Sequence, residues 1–334
     1  MEVGLSDDRY GDGAPSLPRR GVLSGLGFSG LGLSGLGLST VGAPMAVAEG
    51  RQTEARTYAF SQVDVFSPER FGGNPLAVVI GADDLSEDDL KRFSIWTNLS
   101  ETTFLLKPTH PQADYRVRIF SLGDELPFAG HPTLGTCHVW LRAGGAPKGA
   151  HIIQECALGL VRLLRADGRL AFEAPPLRRA PPLDAESLAH IRRALGLGED
   201  EITASALLDA GLKQPAIMIR SRERLLALKV NWAAMNLKVL GVIAPWPSPA
   251  RPGDPLFEVR WFDSTLPAGE DPVTGSFNAS AARWMIGAGM APDRYVVSQG
   301  TALGRVGRVH VDKDGDSIWI GGDATDHILG QLQL

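Results

Sequence analysis

Glu125-Leu-Pro-Phe-Ala-Gly-His-Pro-Thr-Leu-Gly-Thr136 is the stretch that decides the fold, and it runs directly into the apolar segment Cys137-His-Val-Trp-Leu141. Small residues at a turn, followed by apolar residues at helical spacing, predict a helix that begins at this turn. The backbone N–H groups of a first helical turn have no partner inside the helix, so they are free to hold an anion. The stretch therefore predicts an anion-binding helix start.

A second stretch, Asp271-Pro-Val-Thr-Gly-Ser276, enters the helical segment Phe277–Ile286 in the same way. We align it with His131-Pro-Thr-Leu-Gly-Thr136, which it matches at the proline, the glycine and the hydroxyl residue. Runs with strand character precede and follow both segments. Two units of one design predict two related halves with a site between them. The expected fold class is α+β, with two pseudo-symmetric halves, each a mainly antiparallel sheet wrapped around a central helix.

Prolines suggest where the two halves meet. Pro175-Pro176 and Pro181-Pro182 bracket a basic linker, which is the composition of a domain boundary. We therefore predict an N-terminal half at 56–178 and a C-terminal half at 183–334. A length of 334 residues agrees with about two domains.

Residues 1–55 have the composition of a leader. Arg19-Arg20 precedes the uncharged, glycine-rich stretch Gly21–Gly42, and Ala46-Val-Ala48 has the small residues of a cleavage site. This arrangement resembles a twin-arginine signal and favours a periplasmic or exported protein. Translation that begins near Met45 is the alternative and would leave the protein cytoplasmic. No stable membrane span is expected, because apolar residues are few and glycine is abundant.

Charge and cysteine content exclude several classes of function. A net charge of −5, without a dense run of Lys or Arg, argues against a nucleic-acid partner. The two cysteines, Cys137 and Cys156, are too few for a disulfide framework and too poorly spaced for a zinc site. Both lie in apolar surroundings typical of buried thiols. The histidine spacing offers no metal triad, so no metal site is predicted.

Polar residues at junctions between elements are the remaining candidates for chemistry. Glu101 lies between a helix end and an apolar strand, where partial desolvation would raise its pKa and suit it to proton transfer near neutral pH. Taken singly, each candidate has an ordinary role, such as an exposed Glu or a helix N-cap. The duplicated pattern leads us to treat them as one site. The candidates are Asn74, Glu101, His131, Asp271 and Ser276.

Several blocks of this sequence resemble the signatures of the phenazine-biosynthesis PhzF-like family, and they occur in the family's order. They extend over about Tyr58 to Ile320, which is nearly everything after the leader. Each block alone would be weak, but the combination is specific. The blocks are Phe71-Gly-Gly-Asn-Pro-Leu-Ala-Val-Val79, Ser100-Glu-Thr-Thr-Phe104, Phe128-Ala-Gly-His-Pro-Thr-Leu-Gly-Thr136, Asp271-Pro-Val-Thr-Gly-Ser276 and Gln299-Gly-Thr-Ala-Leu-Gly-Arg305.

The resemblance implies a fold similar to diaminopimelate epimerase, a site in the cleft between the halves, a homodimer, and no metal or organic cofactor. It implies that Glu101 is the acid/base that moves a proton between carbons of the substrate. It also implies that His131 and Asp271 bind and polarise the substrate, and that the helix-start glycines and serine donate to its carboxylate. The expected substrate-binding residues are Asn74, Gly130, His131, Asp271, Gly275 and Ser276.

The epimerases proper use two thiols at the heads of the two helices, and this chain has none there, so two-thiol racemisation is excluded. The leading hypothesis is a PhzF-like isomerase that transfers a proton between carbons of a small amino- or hydroxy-carboxylate. One candidate substrate is trans-2,3-dihydro-3-hydroxyanthranilate. Two alternatives stay open: a non-catalytic protein that binds small carboxylates, and an epimerase that uses Glu101 and Asp271 as two bases.

Overall fold

A computed structural model of the protein describes residues 56–166, 168–247, 251 and 253–334. The predicted leader at 1–55 lies outside the described residues. The first half contains two α-helices, and the second of them is central. Its elements are β1 (Thr57–Val65), β2 (Asn74–Ile80), α1 (Glu87–Thr97), β3 (Glu101–Leu106), β4 (Tyr115–Ser121), β5 (Asp124–Leu126), α2 (Gly130–Arg142), β6 (Ile152–Cys156), β7 (Gly159–Ala166) and β8 (Arg169–Glu173).

The second half repeats this order after one additional helix, α3. A single 3₁₀ turn at Thr301–Leu303 follows its parallel strand β14. Its elements are α3 (Ala185–Leu195), β9 (Ile202–Asp209), β10 (Lys213–Ile219), α4 (Arg222–Ala227), β11 (Val239–Pro245), β12 (Phe257–Asp263), β13 (Glu270–Asp271), α5 (Gly275–Gly287), β14 (Arg294–Gln299), β15 (Gly307–Asp314), β16 (Ser317–Gly322) and β17 (Ala324–Gln333).

Strand pairing follows one plan in both halves. A hairpin, β1–β2 or β9–β10, leads through a short helix to a parallel strand, β3 or β11. An antiparallel strand follows, β4 or β12, and carries a short partner, β5 or β13. After the central helix, β6 or β14 runs parallel to β4 or β12. The next strand, β7 or β15, pairs with it antiparallel. Most pairings are therefore antiparallel, and the predicted α+β class with two pseudo-symmetric halves is confirmed.

Each half is completed at one edge by the segment that follows the other half. β17, at the end of the chain, pairs with β1 along its whole length. The segment after β8 meets β9 in the same manner, through a bridge between Arg179 and Asp209. β8 and β16 also pair, which joins the two sheets. The predicted boundaries at residues 178 and 183 stay a prediction.

Four strands have no counterpart among the runs that the sequence predicts as strands, namely the short β5 and β13 and the longer β9 and β17. The sequence also predicts a helix over Arg222–Val230, whereas the observed helix α4 ends at Ala227. β17 is largely exposed and mixes polar residues with a glycine, so no apolar alternation marks it. The open edge of β1 creates it, because an unpaired row of backbone groups is satisfied by another strand.

The structure corrects our internal alignment of the two helix starts. α2 and α5 are both thirteen residues long and begin at Gly130 and Gly275. Gly130 therefore corresponds to Gly275, whereas our alignment matched Gly275 with Gly135, a residue inside α2. The true repeat is Glu-x-Pro-x-x-Gly, at residues 125–130 and 270–275. The error arose because the shorter x-Pro-x-x-Gly match occurs twice in the first stretch.

A pair of equivalent ion pairs supports the corrected alignment. Arg118 of β4 binds Glu125 at 2.5 Å, and Arg260 of β12 binds Glu270 at 2.5 Å. The pair in the second half is buried, and Arg260 also donates to the carbonyl of Leu228 at 2.8 Å. Each pair closes the short hairpin that leads into a central helix, so the entry to both helices is fixed in the same way.

The central helices meet at their starts, and two glycines allow it. α2 and α5 are buried along most of their length, each against the sheet of its own half. A Cβ atom built on Gly130 would lie 2.6 Å from the Cα atom of Gly275, and one built on Gly275 would lie 2.9 Å from the Cα atom of Gly130. Only glycine fits at this contact. None of the helices in the described part of the chain is long and apolar enough to cross a membrane.

Replacing Gly130 with Ala should force the two helix starts apart. We expect Gly130→Ala to lower the free energy of unfolding by about 1–3 kcal/mol, the usual cost of overpacking a core. Gly287→Ala is the matched control, because a Cβ atom there meets nothing within 4 Å and alanine favours a helix. Urea unfolding of both variants measures the difference. Equal stability of the two variants would contradict a tight contact at Gly130.

Candidate active site

The two central helices begin without a side-chain cap. The other described α-helices, α1, α3 and α4, are capped by Ser86, Asp184 and Ser221. The residue before α2 is Ala129 and the residue before α5 is Thr274, and neither side chain bonds to its helix. The N–H groups at the first turns therefore point to where the helices meet. Two partial positive charges converge there, which favours a bound anion.

Asn74, the first residue of β2, links both helix starts. Its amide nitrogen donates to Oδ1 of Asp271 at 2.8 Å and to the carbonyl of Val273 at 3.0 Å. The same nitrogen lies 3.2 Å from Nδ1 of His131. An amide nitrogen is only a donor, so this contact favours an accepting Nδ1 and a ring proton on Nε2. Asn74 thus contacts His131 and orients Asp271.

Glu101 and His131 direct polar atoms at one point. Oε2 of Glu101 lies 3.3 Å from Nε2 of His131. Their orientation is not that of a hydrogen bond, so both atoms are buried without a partner among the described residues. The side chains are 15% and 3% exposed. Buried polar atoms without partners are uncommon in folded proteins and mark a place where a ligand can bind.

Burial controls the protonation of these groups. Desolvation raises the pKa of Glu101 well above its usual value, and the negative charges of Asp271 and Asp263 raise it further. Desolvation lowers the pKa of His131 to about 3, so the ring is neutral near pH 7. Burial also raises the pKa of Asp271, although hydrogen bonds from neighbouring side chains oppose that shift. The site therefore holds a carboxyl group of raised pKa beside a neutral imidazole.

The structure brings most of the predicted site residues together, with one difference. Asn74, Glu101, His131 and Asp271 form one cluster, and Gly130 and Gly275 touch beside it. The hydroxyl of Ser276 faces away from this cluster and accepts from Gln214 at 3.4 Å. The predicted roles of all these residues stay predictions, because positions alone do not assign them.

Three polar residues that the sequence prediction did not include support Asp271 and its turn. Ser100 donates to Oδ1 of Asp271 at 3.1 Å, and Thr274 donates to Oδ2 at 2.6 Å. Buried Gln299 accepts from the backbone N–H of Thr274 at 3.1 Å and donates to the carbonyl of Asp271 at 3.2 Å. Ser100 and Gln299 lie inside blocks quoted above, so their positions were visible. Their contacts were not, because those contacts join distant parts of the chain.

Glu101 and His131 have no equivalent carboxyl or imidazole group in the second half. Thr102 pairs with Phe120 in the first half as Leu240 pairs with Phe262 in the second, so Glu101 corresponds to Val239. The corrected alignment likewise matches His131 with Ser276 and Asp271 with Leu126. The cluster is thus not duplicated, although the backbone that carries it is.

Two other features lie apart from this cluster. A cavity of about 770 Å³, lined by residues such as His310 and Trp319, contains none of the predicted site residues. Both cysteines are buried, as predicted, and burial raises the pKa of Cys137 to about 12. Neither thiol is among the clustered residues.

A family model described as phenazine biosynthesis-like protein, PhzC-PhzF, matches residues 63–330, which is most of the chain. The chain belongs to the PhzC-PhzF family. A solved PhzF-family structure from Enterococcus faecalis has the same fold, with a TM-score of 0.68 at 24% identity, and the match covers 84% of this chain and 100% of that one.

Several relatives of this chain are named isomerases, and one similar protein carries a different name. Antisense-enhancing sequence 1 of Schizosaccharomyces pombe is 34% identical over 82% of this chain and 98% of its own length. An uncharacterized isomerase of Pasteurella multocida is 31% identical over 82% of this chain and 94% of its own. The trans-2,3-dihydro-3-hydroxyanthranilate isomerase of Pseudomonas aeruginosa is 41% identical, over 32% of this chain and 38% of its own. The protein is an isomerase of the PhzC-PhzF family.

The buried, neutral His131 makes stability depend on pH. In an unfolded chain the imidazole gains its proton as pH falls through about 6.5, whereas folded His131 gains it near 3. Between these values the unfolded state binds the extra proton. The stability due to this group is complete above the unfolded value and is lost as pH falls towards the folded one.

We therefore expect wild-type protein to lose stability between pH 6 and pH 4 faster than His131→Gln. The expected extra loss is at most about 1.4 kcal/mol per pH unit, the value for one proton. Urea unfolding at several pH values measures it. His110→Gln, at an exposed position, is the control and should follow the wild type. Parallel pH profiles for the wild type and His131→Gln would contradict a buried neutral ring.

Proposed function

We propose that this isomerase moves a proton between two carbons of a small amino- or hydroxy-carboxylate without a cofactor, with Glu101 as the acid/base. One observation carries the proposal. Oε2 of Glu101 and Nε2 of His131 are buried without partners, 3.3 Å apart, beside two uncapped helix starts. A base, a neutral donor and an anion-binding surface thus face the same space.

The helix starts suit a carboxylate. The N–H groups of Gly130 and His131 precede the first bond of α2, from Thr133 to Ala129 at 3.2 Å. Those of Gly275 and Ser276 precede the first bond of α5, from Asn278 to Thr274 at 3.0 Å. A substrate carboxylate between them receives hydrogen bonds from backbone groups that are already in position. This arrangement holds the substrate and leaves Glu101 for chemistry.

The proposed step uses one base in two directions. The Glu101 carboxylate removes a proton from one carbon, and the electron pair of the broken C–H bond delocalises into the adjoining unsaturated group. The Nε2–H of His131 and the helix starts stabilise the negative charge that develops. Glu101 then returns the proton to a different carbon. A raised pKa suits this role, because a stronger base takes a carbon-bound proton more readily.

The two-base alternative receives less support from the geometry. Asp271 accepts hydrogen bonds from Asn74, Ser100 and Thr274, so its carboxylate is held by three donors. A carboxylate that is held in this way is a poorer proton acceptor than Glu101, whose Oε2 has no partner. Asp271 therefore fits the binding and orientation of the substrate.

The substrate class rests on the relatives. The family description names phenazine biosynthesis, and one relative is named a trans-2,3-dihydro-3-hydroxyanthranilate isomerase. That compound carries a carboxylate, an amine and a hydroxyl, as the proposed class requires. We propose it as one candidate substrate among related carboxylates.

Loss of the Glu101 carboxylate should stop the proton transfer and preserve binding. We expect Glu101→Gln to lower turnover roughly 10²–10⁴-fold, the range for a positioned acid/base. NMR in heavy water measures deuterium uptake by trans-2,3-dihydro-3-hydroxyanthranilate and by a panel of small amino- and hydroxy-carboxylates. Glu199→Gln, at an exposed carboxylate, is the control and should keep wild-type rates.

Two results of this experiment would count against the proposal. Normal exchange by Glu101→Gln would remove Glu101 from the reaction. Inversion of a stereocentre, detected by chiral chromatography of the products, would favour an epimerase that uses Glu101 and Asp271 as two bases.

We also propose a homodimer, which the family resemblance implies. Light scattering on the protein as it elutes from a size-exclusion column tests this assembly. A molar mass near twice the 35.7 kDa of the chain is expected, and a monomeric mass at micromolar concentration would contradict it.

A further inference from the structure

A second cavity, of about 200 Å³, lies against the starts of both central helices. Phe128, two residues before α2, forms one side of it, and Ser276 and Ser280 of α5 form another. Leu212, from the tip of the β9–β10 hairpin, and Gln214 complete the part nearest the helices. Its walls are mostly apolar, with the serine hydroxyls at the side of α5.

This cavity is the counterpart of the acid/base cluster in the other half. Leu76 pairs with Glu101 across β2 and β3, and extending the β10–β11 register by two residues places Gln214 opposite Val239. Asn74 therefore corresponds to Leu212, and the corrected alignment matches His131 with Ser276. The polar groups of the cluster are replaced by apolar or small ones, and space remains in their place.

The cavity and the cluster share the helix starts. Ser276 lines the cavity, and its backbone nitrogen lies 2.7 Å from the position of a Cβ atom on Gly130, the residue before His131. A carboxylate held at the helix starts therefore has Glu101 on one side and the cavity on the other. The part of the substrate that does not react needs unoccupied volume beside the helix starts, and this cavity provides that volume.

Arg178 lies at the outer edge of this cavity. A guanidinium nitrogen of Arg178 is 3.9 Å from the position of a Cβ atom on Gly211, and a methyl group of Leu158 is 4.0 Å from the same position. No carboxylate lies within 4.0 Å of Arg178 in the part of the chain that the structure describes. Its acidic neighbour, Asp209, is bound to Arg179 at 3.6 Å. The edge of the cavity thus presents a positive charge.

We propose that this cavity binds the non-reacting part of the substrate, which is an apolar group that carries a second acidic group facing Arg178. The proposal rests on the proposed function and narrows its substrate class. One half then supplies the acid/base chemistry, and the equivalent surface of the other half supplies recognition. Area alone does not give affinity, so the test relies on selective loss of binding.

Binding of acetate, benzoate and isophthalate to the full-length protein tests the proposal by calorimetry. Ser280→Leu and Leu212→Phe narrow the cavity from opposite walls. We expect each variant to lower the affinity for benzoate and isophthalate roughly tenfold or more, because the added side chain overpacks the cavity. The affinity for acetate should not change. Arg178→Gln should lower the affinity for isophthalate up to about fivefold, which is the range for an exposed ion pair. It should leave the affinity for benzoate unchanged.

Matched variants separate these effects from damage to the fold. Ser280→Ala keeps the cavity open, and Arg165→Gln removes an exposed arginine that does not line it, so both should bind the three acids as wild type does. The proposal is overturned if wild-type protein binds neither aromatic acid, or if Ser280→Leu and Leu212→Phe bind both aromatic acids normally. It is also overturned if these variants lose affinity for all three acids to the same extent.

The proposed function and the proposed subsite can be contradicted independently of each other. If the expected binding pattern appears and no compound of the panel exchanges deuterium, the proposed function fails and this subsite stands. If Glu101-dependent exchange occurs and the cavity variants do not discriminate among the three acids, the subsite fails alone.

Discussion

The contact between Gly130 and Gly275 is the constraint on which the remaining structure depends. Backbone atoms of the two helix starts approach to a distance that excludes any side chain. The positive ends of two helix dipoles then converge, which is unfavourable unless negative charge lies nearby. Glu101 and Asp271 are the carboxyl groups of the adjoining cluster; Asp271 is buried, and the Glu101 side chain is only 15% exposed. A binding place for an anion thus follows directly from the way the halves pack.

Duplication of the backbone and divergence of the side chains explain how one site arises from two equal halves. Both halves retain the hairpin closed by an Arg–Glu pair, the glycine at the helix start and the buried central helix. The residues that differ are those next to the helix starts. Glu101 and His131 in one half correspond to Val239 and Ser276 in the other, so only one half contributes this pair of carboxyl and imidazole groups. The other side retains an open cavity.

Local patterns predicted most elements, and they failed where distant pairing decides the structure. The sequence predicts strands at Glu101–Leu106 and Ile152–Cys156, and β3 and β6 have these bounds, because apolar runs between turn residues are a local signal. β17 was not predicted, since it forms on the edge of β1. The internal repeat was recognised in the wrong register, because local identity cannot show which glycine begins a helix. The contacts of Gln299 were also hidden, although the block that contains it was recognised.

The sequence by itself determined the family, the α+β class, the two glycine-containing helix starts and the set of polar residues near them. These features are encoded in neighbouring residues, and a short motif carries them. Only the tertiary structure decided that Asn74, Glu101, His131 and Asp271 meet, and that Ser276 faces a separate cavity. The physical reason is that strand register and the contact between helix starts join residues far apart in the chain, such as Asn74 and Asp271, which are 197 positions apart.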